Sequence, residues 1–177
     1  MNSQSIENYF SIDSVSFENE NYFLAWSSFS DNGYYKHEYI RKTDSIKGFN
    51  KMILIEVLQR DLTPKDLASK KALEIDKRKK KDHVANYQII DNPETGEYLI
   101  DFLISDGEGD LYEWNVYRYK LIDTPKGKAV MLFGYCLRSF DDGELILDDF
   151  FPYFKKNRLD LINSVANYEI PKIKLVE

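Results

Sequence analysis

One cysteine and two histidines bound the nucleophilic chemistry open to this chain. Cys136 sits in MLFGYCLRS, a stretch with strand character, and only His37 and His83 exist to activate it. A thiolate nucleophile needs a base and an orienting group within hydrogen-bonding reach. The spacing supplies neither, so the expected state is a buried, inert thiol. No G-x-S-x-G elbow occurs, and Gly134-Tyr135-Cys136 does not replace one. Two distant histidines, with no H-E-x-x-H and no cysteine pair, make no zinc signature.

Oxygen ligands and carboxylate pairs are more numerous but no better organised. The acidic turn Asp106–Asp110 and the group Asp141, Asp142, Glu144, Asp148 and Asp149 lack EF-hand spacing, and Asp/Gly turns are common hairpin chemistry. Glycosidic hydrolysis needs two acids facing each other across a cleft. Among 30 acidic residues, Asp101 and Glu113 are the least trivial choice, because both fall in apolar surroundings on adjacent expected strands. Solvent-facing positions explain them as well. No phosphate-cradling glycine pattern exists: Gly107-Glu108-Gly109 precedes a strand rather than a helix. The chain is therefore expected to carry no catalytic set, no metal site and no cofactor.

Two features suit binding. Lys77-Arg78-Lys79-Lys80-Lys81 could contact an anionic surface, but it also reads as the basic end of a helix, where cations complement the dipole. The other is aromatic. With 13 Tyr and 11 Phe, alternating strands place Trp114 and Arg118 on one face of DLYEWNVYRYK and Tyr117 on the other. Tyr35 and Tyr39 share a face of YYKHEYIRK, and Trp26 lies in the run before it. Tyr, Trp and Arg are common interface anchors, so Trp26, Tyr35, Tyr39, Trp114, Tyr117 and Arg118 are the candidate binding residues. Sheet packing is the competing explanation.

Stepping along the chain shows which elements must position them. Residues 1–19 are polar and read as a loosely attached N-terminal arm with one short helix or edge strand, ordered only where its aromatics dock; residues 20–177 read as a single α+β domain. ENYFLAWSSFS and YYKHEYIRK flank Asn32-Gly33, a strong hairpin signal. FNKMILIEVLQR is apolar on both sides, as in a central strand covered on both faces. Thr63-Pro64-Lys65-Asp66 opens a helix with a capping residue, a first-turn proline and an acidic partner. Leu67, Ala68, Ala72 and Ile75 form its inner face. ANYQIID, EYLIDFLI, DLYEWNVYRYK and KAVMLFGYCLR form a meander across Gly/Pro/Asn/Asp turns. A second helix is expected over about 149–167, with Phe154, Leu161, Ile162 and Val165 inward. KIKLVE is expected to add a short last strand. The sum is a mostly antiparallel, twisted sheet of about six or seven strands with two main helices packed on it, one face of the sheet lying opposite both helices.

A net charge of −6 argues against a general nucleic-acid binder, so nucleic acid is not expected despite Lys77–Lys81. No apolar run is long enough to span a bilayer. MNSQSIENYF lacks the features of a signal peptide; the chain reads as cytoplasmic as written, or as a mature exported form.

In order and length of elements the chain resembles the Mog1/PsbP-like fold. The YYKHEYIRK strand, the KMILIEVLQ strand before TPKDLASKKA, the meander and the RLDLINSVANY helix carry the resemblance over roughly residues 20–170. It implies a non-enzymatic binding or accessory role. Three functions remain: a binding protein using an aromatic sheet face, with a protein or peptide partner; a small acidic inhibitor or immunity-type protein that neutralises a basic partner; and a carboxylate-based hydrolase.

Overall fold

Turn chemistry sets the connections of the sheet. Gly33 (φ +81°) and Gly127 (φ +106°) occupy the left-handed region, which strains any side chain, at the tips of two hairpins. The computed structural model describes residues 6–108, 110–139 and 147–175. Its elements are β1 (Ser14–Phe17), β2 (Glu20–Ser30), β3 (Tyr34–Ile40), β4 (Lys51–Leu58), α1 (Pro64–Arg78), β5 (Asn86–Asn92), β6 (Glu97–Ser105), β7 (Tyr112–Thr124), β8 (Gly127–Arg138) and α2 (Leu147–Asn167). The eight strands form one antiparallel sheet in the order β1-β2-β3-β4-β8-β7-β6-β5. The apolar strand β4 is central, as its two apolar faces require.

Four expectations are corrected. The sheet has eight strands rather than six or seven, because Ser14–Phe17 pairs with β2. This segment is not loosely attached: Phe10, Val15 and Phe17 are buried, and docking those apolar rings outweighs the polar residues between them. KIKLVE adds no strand over its described residues; a single backbone bond from Lys174 to the Phe10 carbonyl ties it down. The helices do not share a face. Alternate residues of β7 separate them: Trp114 and Val116 pack with Phe150, Ile162 and Val165 of α2, whereas Tyr117 and Tyr119 pack with Leu67, Ala68, Ala72 and Ile75 of α1.

Helix α1 begins as its sequence dictates. The Thr63 hydroxyl accepts from the Asp66 N–H at 3.2 Å, and the Asp66 carboxylate accepts from the Thr63 N–H at 2.8 Å. The small side chains of Ala68 and Ala72 let it lie close over β5, β6 and β7. Farther along that face Phe49 covers Met52 and Cys136, and between this cluster and α1 part of the sheet is open. On the other face, α2 and residues 9–17 cover the strands from β3 to β7. Each large side chain so buried contributes about 1.5–3 kcal/mol.

Candidate functional site

The uncovered part of the α1 face is a groove of about 480 Å³ between α1 and strands β3, β4 and β8. Its floor carries Tyr34, Leu58, Tyr117, Tyr119, Val130 and Leu132; α1 contributes Leu67, Lys70, Lys71 and Glu74 as a wall. A cross-strand device shapes the floor. Gly134 pairs with Tyr117, and a Cβ at position 134 would stand 2.9 Å from the Tyr117 ring. The ring edge lies over the glycine, and the ring meets Phe102 at a right angle, 5.0 Å between centroids. Lys71 Nζ stands 5.9 Å from both ring centroids and pairs with Glu74 at 2.7 Å.

Glu56 brings a carboxyl into this surface. Burial raises it above the ordinary carboxylate range, opposed by a hydrogen bond from Tyr34 and by the charges of Lys36 and Lys71. Burial also raises the Tyr34 and Tyr119 phenols, with Glu56 adding to both. Lys36 and Arg60 complete the mouth. Lys36 pairs with Glu38 at 2.8 Å and lies 5.6 Å from the Trp26 ring centroid. The groove thus joins an aromatic and aliphatic floor to four cations and two carboxylates, in a chain whose net charge is −6.

The six candidate binding residues are divided by the sheet. Tyr117 lines the groove, and Trp26 stands near it through Lys36. A bulge between Leu24 and Trp26 puts Trp26 opposite Glu38; regular alternation would have placed it with Leu24 on the other face. Tyr35, Tyr39 and Trp114 are buried in the core of the α2 face. Arg118 is committed to structure: it bridges Glu97 at 2.7 Å and donates to the carbonyls of Val165 at 3.3 Å and Tyr168 at 2.9 Å, at the C-terminal end of α2. Glu56, Lys70 and Lys71 were missed by the sequence reading. Glu56 alone had a signal, as the single charge inside the apolar run MILIEVL.

Other chemistries can also be placed. Cys136 is buried on the α1 face with Met52, His37 lies on the α2 face and His83 is exposed before β5, so Cys136 and His37 form no pair, and burial pushes the thiol far up. Asp101 bonds Trp114 on the α2 face, whereas Glu113 bonds Arg138 on the other, so these carboxylates cannot meet across one cleft. Among the described residues no cluster could hold a metal ion. Asp141, Asp142 and Glu144 lie outside the described residues. Of the basic run, Arg78 pairs with buried Asp82 and Lys79 with Asp76, both at 2.9 Å. No helix of the described residues is long and apolar enough to cross a membrane.

The class defined by these features is an α+β protein with one open-edged antiparallel sheet and a helix on each face. A protein-family model matches residues 11–170, and the chain belongs to that family, whose description assigns it no activity. No curated protein and no solved structure matches the chain.

Proposed function

We propose that this is a non-catalytic binding protein whose ligand, a small amphipathic anion, lies in the groove beside α1. The observation that carries the reading is the cationic wall over an aromatic floor. Lys70 has no ion-pair partner among the described residues, and Arg60 donates only to the Asn32 carbonyl. A cavity of about 480 Å³ is of the size that takes a single small organic molecule. The element order resembling the Mog1/PsbP-like fold points the same way, by analogy.

Titration with 1-anilinonaphthalene-8-sulfonate, followed by competition with laurate, tests this. One saturable site is expected, weakened about tenfold or more in a Lys70→Glu, Lys71→Glu double variant. Unsaturable fluorescence, or indifference to the charge reversal, overturns the reading. An acidic peptide carrying a Leu-Phe pair, assayed beside laurate, decides between a free small molecule and the peptide partner expected from sequence.

A second reading is favoured by one observation: Glu56, a raised carboxyl, and Glu74 line the same groove. A carboxylate hydrolase would use Glu56 as general acid. Turnover of p-nitrophenyl glycosides or esters that is lost in Glu56→Gln, with laurate binding retained, would establish it. The acidic-inhibitor reading rests on size and net charge alone.

A further inference from the structure

Strand β5 ends the sheet, and among the described residues no strand pairs with its outer side. Natural sheet edges are guarded by lysine, proline, a bulge or short length. β5 has none of these guards. Its seven residues, NYQIIDN, hold a single charge, Asp91, and pair with β6 in unbroken register. Two hydrogen bonds show which backbone groups point outward. The Tyr87 N–H donates to Asn86 Oδ1 at 2.9 Å, and the Ser105 N–H of β6 reaches to the β5 side, to Asp82 Oδ2 at 2.7 Å. In an antiparallel ladder inward and outward residues alternate, so Tyr87, Ile89 and Asp91 direct their N–H and C=O groups away from the sheet.

Exposed apolar side chains gather at this edge. Ile89 is 38% exposed and Ile90 37%, on opposite faces. On the α1 side, Leu73 (61%) lies one turn from Asp76, whose carboxylate accepts from the Tyr87 hydroxyl at 3.0 Å. On the α2 side, Leu159 (68%) follows Arg158, which donates to Gln88 Oε1 at 3.2 Å, and it lines a cavity between α2 and β5. These are four of the seven large apolar side chains so exposed among the described residues, which makes this edge the apolar side of the molecule.

We infer that β5 pairs antiparallel with β5 of a second copy about a twofold axis through Ile89, continuing one sheet through both copies. The strand itself argues for this occupant. With the axis at Ile89 all seven residues overlap: Ile89 exchanges both backbone bonds with the partner's Ile89, and Tyr87 does so with the partner's Asp91. Charge agrees with that register. The partner's Asp91 arrives beside Tyr87, where Lys79 stands 4.8 Å from the ring centroid, sharing its ammonium with Asp76 at 2.9 Å. An axis at Asp91 would instead set two carboxylates face to face. A stable dimer buries about 1,200–2,000 Å², more than a strand pair supplies; Leu73 and Leu159 widen the contact on both faces. The twofold is closed, so pairing stops at two copies. β5 lines no part of the groove beside α1, so the anion reading and this one fail separately.

The test is sedimentation of the full chain from about 1 to about 200 µM. A reversible dimer is expected. Ile89→Lys, at an exposed position, sets two lysines opposite each other and should weaken the dimer about tenfold or more with far-UV circular dichroism unchanged. Cross-linking reads the register, since the chain's own Cys136 is buried. Under oxidised glutathione, Ile89→Cys should give a disulfide dimer, because paired residues lie about 5.5 Å apart at Cα. Asn92→Cys, far from its own copy, should not. Monomer throughout overturns the proposal, and uptake of a labelled Thr-Val repeat peptide by that monomer would give the edge to a foreign strand instead. A dimer indifferent to Ile89→Lys, or equal cross-linking at both cysteines, also overturns it.

Discussion

Two titratable groups, half-buried Glu56 and buried His37, give stability opposite dependences on pH. Glu56 is raised from its ordinary value of 4.5, chiefly by burial. The folded protein therefore holds its proton where the unfolded chain has released it, and stability is lost as pH rises from about 4.5 through the folded value. Glu56→Gln keeps an acceptor for Tyr34 and removes the charge. Its urea midpoint should exceed that of the parent at about pH 7 and match it at about pH 4. A parent more stable than the variant at neutral pH would mean that Lys36 and Lys71 outweigh the burial. His37 runs the other way. Its Nε2 accepts from the Tyr9 N–H at 3.2 Å, while the Tyr39 hydroxyl, 2.9 Å from Nδ1, donates to the Ile12 carbonyl. That network requires a neutral ring protonated on Nδ1. Burial pushes the imidazole down to about 4, opposed by hydrogen bonding toward the Glu7 backbone carbonyl, which favours the charged ring. Its contribution is full above about pH 6.5 and lost as pH falls through about 4, at no more than roughly 1.4 kcal/mol per pH unit. Imidazole nitrogen shifts should keep the neutral pattern down to about pH 5; titration near 6.5 would contradict it.

At the scale of elements, the N-terminal strand and the glycine under Tyr117 carry the most informative tests. Phe10 is fully buried, with its ring centroid 4.0 Å from that of His37. Phe10→Ala should cost about 3–5 kcal/mol in urea unfolding and let the His37 titration return toward its ordinary range. A loss near zero would mean that residues 10–17 add little to the sheet. Gly134→Ala forces a methyl group to within 2.9 Å of the Tyr117 ring. Overpacking of this kind costs about 1–3 kcal/mol, and the displaced ring reshapes the groove floor. Anilinonaphthalene sulfonate binding should therefore weaken in Gly134→Ala. Helix α1 was readable because its signals are local: Thr63, Pro64 and Asp66 act within one turn. Strand β1 was foreseen only as a short helix or edge strand in a loose arm, since Phe17 is held by Phe133, Tyr135 and Tyr168, far away along the chain.

For the whole molecule, the sheet is the shared wall of two apolar layers, one under each helix. Neither layer keeps its burial if the central strands β4 and β8 separate, so unfolding should be a single transition. With Trp26→Phe, Trp114 emission reports the α2 layer and far-UV circular dichroism reports both helices. The two urea curves should coincide; a separate early helix loss would show that α1 melts independently. The alternation of β7, the two-sided apolar pattern of β4, the turn residues and the capping box were legible because periodicity and local hydrogen bonding are properties of neighbouring residues. From these the α+β class, the meander and both helices follow. What the chain alone left open is which face each helix covers, how the bulge at Ala25 turns Trp26, and which strands pair across the fold. The sequence reading could therefore name Tyr117 but not its neighbours Glu56, Lys70 and Lys71, nor the opposed faces of Asp101 and Glu113. Those are decided by contacts between residues dozens of positions apart, where burying apolar area over the whole sheet outweighs any local preference.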